Sequence, residues 1–138
     1  MKLLVDSSAF AKRYVHEYGS EQIDNYLKQA SELALCIILM PEIISGLNRR
    51  LREQILTMKD YKKLKNQLLD DVHDATVIQI TPPVISHAVK LLEQNNLRAI
   101  DSLHVACAIE WKSDFFLTSD KRQFLAAKNA GLMTELVG

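Results

Sequence analysis

Short apolar runs take turns along this chain with longer stretches in which apolar positions return every three or four residues. KLLVD at 2–6 is too short for a helix and reads as a buried strand that ends on an acid. SSAFAKRYVHE then reads as a helix with Ser7 or Ser8 as its N-cap, and Gly19 breaks it. Ser20 caps the next helix, EQIDNYLKQASE, whose Ile23, Tyr26, Leu27 and Ala30 share one face. LALCII at 33–38 is apolar throughout, the pattern of a strand covered on both faces. Pro41 suits the first turn of a helix through EIISGLNRRLREQIL, and a second, charged helix covers about 60–73. TVIQI at 76–80 is a strand by its β-branched content. Pro82 and Pro83 open the helix VISHAVKLLEQ, which stops around Asn95 and Asn96. AIDSLHVACAIEW, about 99–111, is a helix apolar nearly all round and therefore central. DFFLTSD holds a strand ending near Thr118, KRQFLAAKNAG a helix with Gly131 at C′, and MTELV at 133–137 a last strand.

Strands that alternate with helices predict parallel pairing. The expected fold is α/β, a three-layer α/β/α sandwich around a central, mostly parallel sheet. No repeat or linker interrupts the 138 residues, so one domain, 1–138, is expected. A composition of 48% hydrophobic and 25% charged residues excludes long disorder. Lys plus Arg equals Asp plus Glu at 17 each, a balance that counts mildly against a nucleic-acid partner. Cys36 and Cys107 lie in apolar stretches outside any C-x-x-C motif, as buried free thiols of a cytoplasmic protein would. The apolar run at the N-terminus is too short for a signal peptide, and no segment approaches the roughly 20 apolar residues of a membrane span. No membrane partner is expected.

Candidate chemistry changes this picture. In open parallel sheets, ligands bind beyond the carboxyl ends of the strands. Asp6 ends the first strand, Glu42 opens the helix after the second, Asp120 follows DFFLTS, and Asp101 stands near the start of the apolar helix. Four carboxylates at one edge raise each other's pKa and call for a cation. Mg²⁺ or Mn²⁺ suits oxygen donors, and no His–Cys set competes for a softer metal. Such a site lends itself to phosphodiester hydrolysis, in which a metal activates water and stabilises the leaving oxygen. Asp6 and Asp101 are the principal candidate ligands. Glu42 and Asp120 complete the pocket through waters or hold a second ion, and either could move a proton. Each acid also has a plainer use as a cap, a strand end or a partner of the helix dipole; their joint placement is what favours a site. His104 shares a helical face with Asp101 and either touches the site or is a satisfied core histidine. The absence of G-x-G-x-x-G and of a Walker A motif argues against dinucleotide or NTP binding.

Four blocks carry a resemblance: VDSSAFAKRYVHEYGSE at 5–21, PEIISGLNRR at 41–50, AIDSLHVACA at 99–108 and FLTSDKRQFLAAKNAGL at 116–132. Together, in order and spacing, they resemble PIN-domain proteins, and more narrowly the VapC-type toxins of toxin–antitoxin pairs. The resemblance implies an α/β/α sandwich, a Mg²⁺- or Mn²⁺-dependent endoribonuclease, a cognate antitoxin and a homodimer. It places the family's acids at Asp6, Glu42, Asp101 and Asp120 and its small polar residue at Thr118. Ser7 stands where many relatives have Thr or Asn and can supply the same hydroxyl. The stretch 51–75 matches no family block. Arg49 and Arg50, which follow Glu42 on its helix, and Arg13, which follows Asp6, are candidates for RNA phosphates, although a solvated helix face is the usual reading of such charges. A non-catalytic PIN-like binding module and a nuclease with no toxin role stay open as alternatives.

Overall fold

Strand β1 (Lys2–Val5) buries both its faces, which is why its sequence shows no alternation. Leu3 and Val5 join one core with Leu35, Leu117, Phe10 and Leu68, whereas Leu4 joins the opposite core with Ala34, Phe116, Val84 and Val105. The other strands of the computed structural model, which describes residues 1–138, are β2 (Glu32–Cys36), β3 (Thr76–Ile78), β4 (Phe115–Thr118) and β5 (Thr134–Leu136). Helices α1 (Ser7–Phe10), α2 (Ser20–Gln29), α3 (Leu39–Arg52) and α4 (Met58–His73) feed the first core. Helices α5 (Pro82–Gln94), α6 (Ala99–Trp111) and α7 (Lys121–Asn129) feed the second. The result is the expected α/β/α sandwich. All four strand pairings are parallel, in the order β3-β2-β1-β4-β5.

The chain runs outward from β1 to β3, then returns to the middle and runs out the other way through β4 and β5. The reversal falls between β1 and β4. A crevice opens at such a switch point beyond the strand ends. Asp6 and Thr118 sit on either side of it, and the Asp6 amide donates to the Leu117 carbonyl at 3.1 Å.

Several boundaries differ from the sequence reading. The helix expected over SSAFAKRYVHE stops at Phe10, tightens into a 3₁₀ turn over Ala11–Arg13 and then leaves helical geometry. The Ser20 hydroxyl gathers this turn, donating to the Lys12 carbonyl at 2.9 Å and accepting the Glu17 amide at 3.0 Å. Ser20 is therefore the first residue of α2 and not its cap, a place taken by Gly19 at φ +97°. A side chain at Gly19 would also meet Val137 Cγ1 at 3.0 Å. β2 ends at Cys36 and α3 starts at Leu39, so Pro41 falls at the third helical position, where its missing N–H is still no loss. Within 51–75, Gln54 adopts φ +60°, Thr57 caps α4, and Tyr61, Leu64, Leu68 and Val72 press α4 onto the first core. On α5, Ile85, Val89 and Leu92 form an exposed apolar stripe. No helix is long and apolar enough to cross a membrane.

Candidate active site

The floor of the crevice is built on Asp6, which is fully buried. Its extended backbone ends β1, and its Oδ1 accepts the Ala9 amide at 2.9 Å, so Asp6 itself caps α1, in place of Ser7 or Ser8. The Ser8 hydroxyl lies 2.8 Å from both carboxylate oxygens, and Thr118 Oγ1 donates to Oδ2 at 2.6 Å. These hydroxyls are themselves held: Ser8 accepts the Ser119 amide at 3.0 Å and Thr118 the Asp120 amide at 3.0 Å. Burial pushes the Asp6 carboxyl above its ordinary pKa, against the opposing pull of His104 and of the donors around it.

Above this floor opens a cleft of about 660 Å³, lined by Glu42, Asp101 and Asp120 together with Arg49, Arg50 and Arg98. Glu42 arrives from the first turn of α3. Its Oε1 accepts the Ser7 hydroxyl at 2.7 Å and His104 Nε2 at 2.6 Å, while its Oε2 has no protein partner. Burial works to raise the Glu42 pKa, but the hydrogen bond and charge of His104, with Ser7 and Arg98, carry it below its ordinary value. Burial works to lower that of His104, and the Glu42 bond with the Asp6 charge carries it above. The imidazole is fully buried, and its Nδ1 finds no partner. Asp101 accepts Arg98 Nε at 3.0 Å and Gln123 Nε2 at 3.2 Å. The same Gln123 nitrogen lies 3.4 Å from Asp120, whose other oxygen caps α7 through the Arg122 amide at 3.0 Å.

All four acids singled out in the sequence thus lie at one edge of the sheet. Three line the cleft, and Asp6 lies beneath them, held by the Ser8 and Thr118 hydroxyls and the Ala9 amide. Burial and hydrogen bonding thus hold the Asp6 carboxylate in one orientation at the base of the cleft. Ser7 and Thr118 donate to Glu42 and Asp6, respectively. Arg49 and Arg50 line the cleft, but Arg13 does not: it is held 3.2 Å from Asp71 and 3.9 Å from Asp24, away from the site. The sequence reading names neither Arg98 nor Gln123 and leaves two roles open for His104. A signal existed, since Arg98 and His104 stand three residues either side of Asp101 and Gln123 three after Asp120, the spacing at which helical side chains meet.

The donor set can be weighed against a metal on its chemistry. Every side chain of the cleft with a lone pair to give is an oxygen donor, and Asp6, Glu42, Asp101 and Asp120 supply four carboxylates at one place. Cys36 and Cys107 are free thiols buried in the second core, as expected. Hydrogen bonding from Cys107 lowers the Cys36 thiol to about 7 against the opposing effect of burial. No three of the acids converge as a ready-made ligand set. The N–H groups of Arg98, His104 and Gln123 occupy carboxylate oxygens, as a cation would. In kind, the donors fit a hard divalent ion.

A fully parallel sandwich with carboxylates gathered at its switch point defines the class: an α/β domain that carries an acidic cleft beyond the strand ends. The chain belongs to the PIN domain family, whose model matches residues 3–129. It is 30% identical over 134 residues to Ribonuclease VapC3 of Pyrobaculum aerophilum, covering 97% of this chain and 99% of that one. Its fold is that of a toxin–antitoxin complex chain from Klebsiella pneumoniae, with TM-score 0.68, 14% identity, and coverage of 88% and 89%. It is equally that of Mycobacterium tuberculosis VapC20, a Sarcin-Ricin loop cleaving toxin, with TM-score 0.69, 13% identity, and coverage of 95% and 96%.

Proposed function

We propose that this chain is a Mg²⁺- or Mn²⁺-dependent endoribonuclease, the toxin of a toxin–antitoxin pair. The observation that carries the reading is the convergence of Glu42, Asp101 and Asp120 on one cleft over buried Asp6, in a PIN domain similar along nearly its whole length to a ribonuclease. Asp101, Asp120 and Glu42 would hold the ion with Asp6 beneath them, and a bound ion supplies Lewis-acid polarisation of the phosphate and an activated water. The chain's own residues do the rest. Arg49, Arg50 and Arg98 offer guanidinium groups to the phosphates that flank the scissile bond. Glu42, kept ionised by His104 and Ser7, can take a proton from the attacking water at Oε2. An antitoxin would hold the enzyme inactive, a homodimer is the expected assembly, and two free buried thiols suit a cytoplasmic home.

The test uses purified chain on structured RNA with Mg²⁺ or Mn²⁺, then with EDTA. Cleavage is expected with metal, and its loss with EDTA and in Asp101→Asn. Cutting that survives either change would end the metal mechanism. Growth arrest on induction in a bacterium, relieved by the product of a neighbouring gene, separates a toxin from a stand-alone nuclease.

One observation favours a second reading, a module that binds without cutting: three donors already hold the Asp6 carboxylate, and the acids of the cleft do not form a ready-made metal-ligand set. Calorimetry with Mn²⁺ decides between them, since a binding module takes up no metal.

A further inference from the structure

His104 is the only buried histidine of the chain, and it sits where packing would favour an apolar residue. Its helix neighbours Val105, Ala106, Cys107 and Ala108 are all buried in the second core. Burying an imidazole there leaves Nδ1 without a partner, a cost that Leu would not incur. The other nitrogen offsets it. Nε2 reaches Glu42 Oε1 at 2.6 Å and lies 3.1 Å from the Ser7 hydroxyl, which itself donates to that same Oε1 at 2.7 Å. The tautomer follows: an ionised carboxylate oxygen can only accept, so Nε2 carries the proton. This is not the arrangement of an activated serine. Ser7 gives its proton to Glu42, and no acid stands behind Nδ1 to orient the ring as a base.

We infer that His104 is the positioning residue for Glu42: with Ser7 it fixes Oε1 against the protein and so turns Oε2 into the cleft. Two donors from different elements, α6 and the start of α1, meet on one oxygen of a residue from α3. A glutamate has three rotatable side-chain bonds, and without such a clamp its carboxylate would sample many positions. With it, one oxygen is spent on the protein, and the other is the atom that a cation, or the proton of an attacking water, can meet. The role rests on the ribonuclease reading, because it assigns a task to Oε2.

The experiment compares His104→Leu with His104→Gln, whose amide N–H can stand where Nε2–H stands. Mn²⁺ affinity is read by electron paramagnetic resonance, and kcat and KM are measured separately on RNA. His104→Leu is expected to weaken Mn²⁺ binding about tenfold and to lower kcat on the order of 10–100-fold with KM nearly unchanged, the usual effect of losing an outer partner of a ligand. His104→Gln is expected to recover most of both. A His104→Leu enzyme equal to wild type overturns the inference, and so does a His104→Gln enzyme as poor as His104→Leu. If His104→Leu does not fold, His104→Asn, one methylene too short to reach Glu42, replaces it, and equality of Asn and Gln overturns the inference in the same way. A wild-type chain that neither takes up Mn²⁺ nor cuts RNA sinks the ribonuclease reading and this inference with it. A wild type that does both, beside an unaffected His104→Leu, sinks the inference alone.

Discussion

Ser7 and Ser8 are adjacent in the chain and serve different acids. Ser8 turns down to Asp6 on the floor, where its hydroxyl, the Thr118 hydroxyl and the Ala9 amide hold a fully buried carboxylate. Ser7 turns to Glu42 on the wall, where one oxygen is held and the other is left open. The two acids are chemically alike, and their surroundings push them apart: burial carries Asp6 above its ordinary pKa, and His104 carries Glu42 below. Floor and wall therefore differ in what they present. A carboxylate enclosed by hydroxyls and an amide joins the ends of β1 and β4 through its hydrogen bonds. A half-buried carboxylate with a free oxygen is available for chemistry.

The division can be broken by comparing activity with stability at each level. Asp101→Asn on the wall is expected to lower cleavage on the order of 10³-fold, the scale of losing one group aimed at developing charge. Its midpoint of urea unfolding should barely move, because the amide oxygen still accepts from Gln123. Asp6→Ala on the floor is expected to lower unfolding free energy by about 3 kcal/mol, since it strands two hydroxyls and the Ala9 amide in a buried place. If Asp6→Ala denatures in urea like wild type, the floor does not hold the two strand ends together.

The sequence made the sheet legible because strands covered on both faces leave unbroken apolar runs, and LLV, LALC and FFL are such runs. It also located the four acids, since a position beyond a strand end is a statement about order along the chain. What it could not reveal was depth. Whether Asp6 lines a cleft or lies under it depends on Ser8 and Thr118 closing over it from two elements 110 residues apart. The partners of the wall acids were closer to hand. Arg98, His104 and Gln123 all stand three residues from an acid, yet helical spacing alone does not say which neighbour turns inward. The early end of α1 was hidden for a similar reason, because the Ser20 hydroxyl that folds the turn back on Lys12 acts across eight residues of ordinary helix-forming sequence.

At the outer margin of the cleft stand Arg49 and Arg50. Replacing Arg49 and Arg50 together by Ala is expected to weaken RNA binding about tenfold and to flatten the salt dependence by roughly 1.4 in the log–log slope, about 0.7 for each lost phosphate contact on a single strand. A smaller effect is expected at Arg13, and it is the more discriminating. Arg13 is basic, near Asp6 in sequence, and lies across the ring of Phe10 with its guanidinium 3.2 Å from Asp71. Tyr14 donates to that same Asp71 oxygen at 2.6 Å, so the aspartate ties the chain after α1 to α4 from two sides. Arg13 is thus occupied with joining two elements, and its charge is spent there. Arg13→Ala should leave RNA affinity and salt slope as they are in wild type, and cost about 0.5–1 kcal/mol of stability, as a partly exposed pair does. A double-mutant cycle with Asp71→Ala should recover that loss as coupling between the two positions. If instead Arg13→Ala loosens RNA as much as the Arg49 and Arg50 pair does, the substrate path extends past the cleft and around α1, and the boundary between wall and framework must be redrawn.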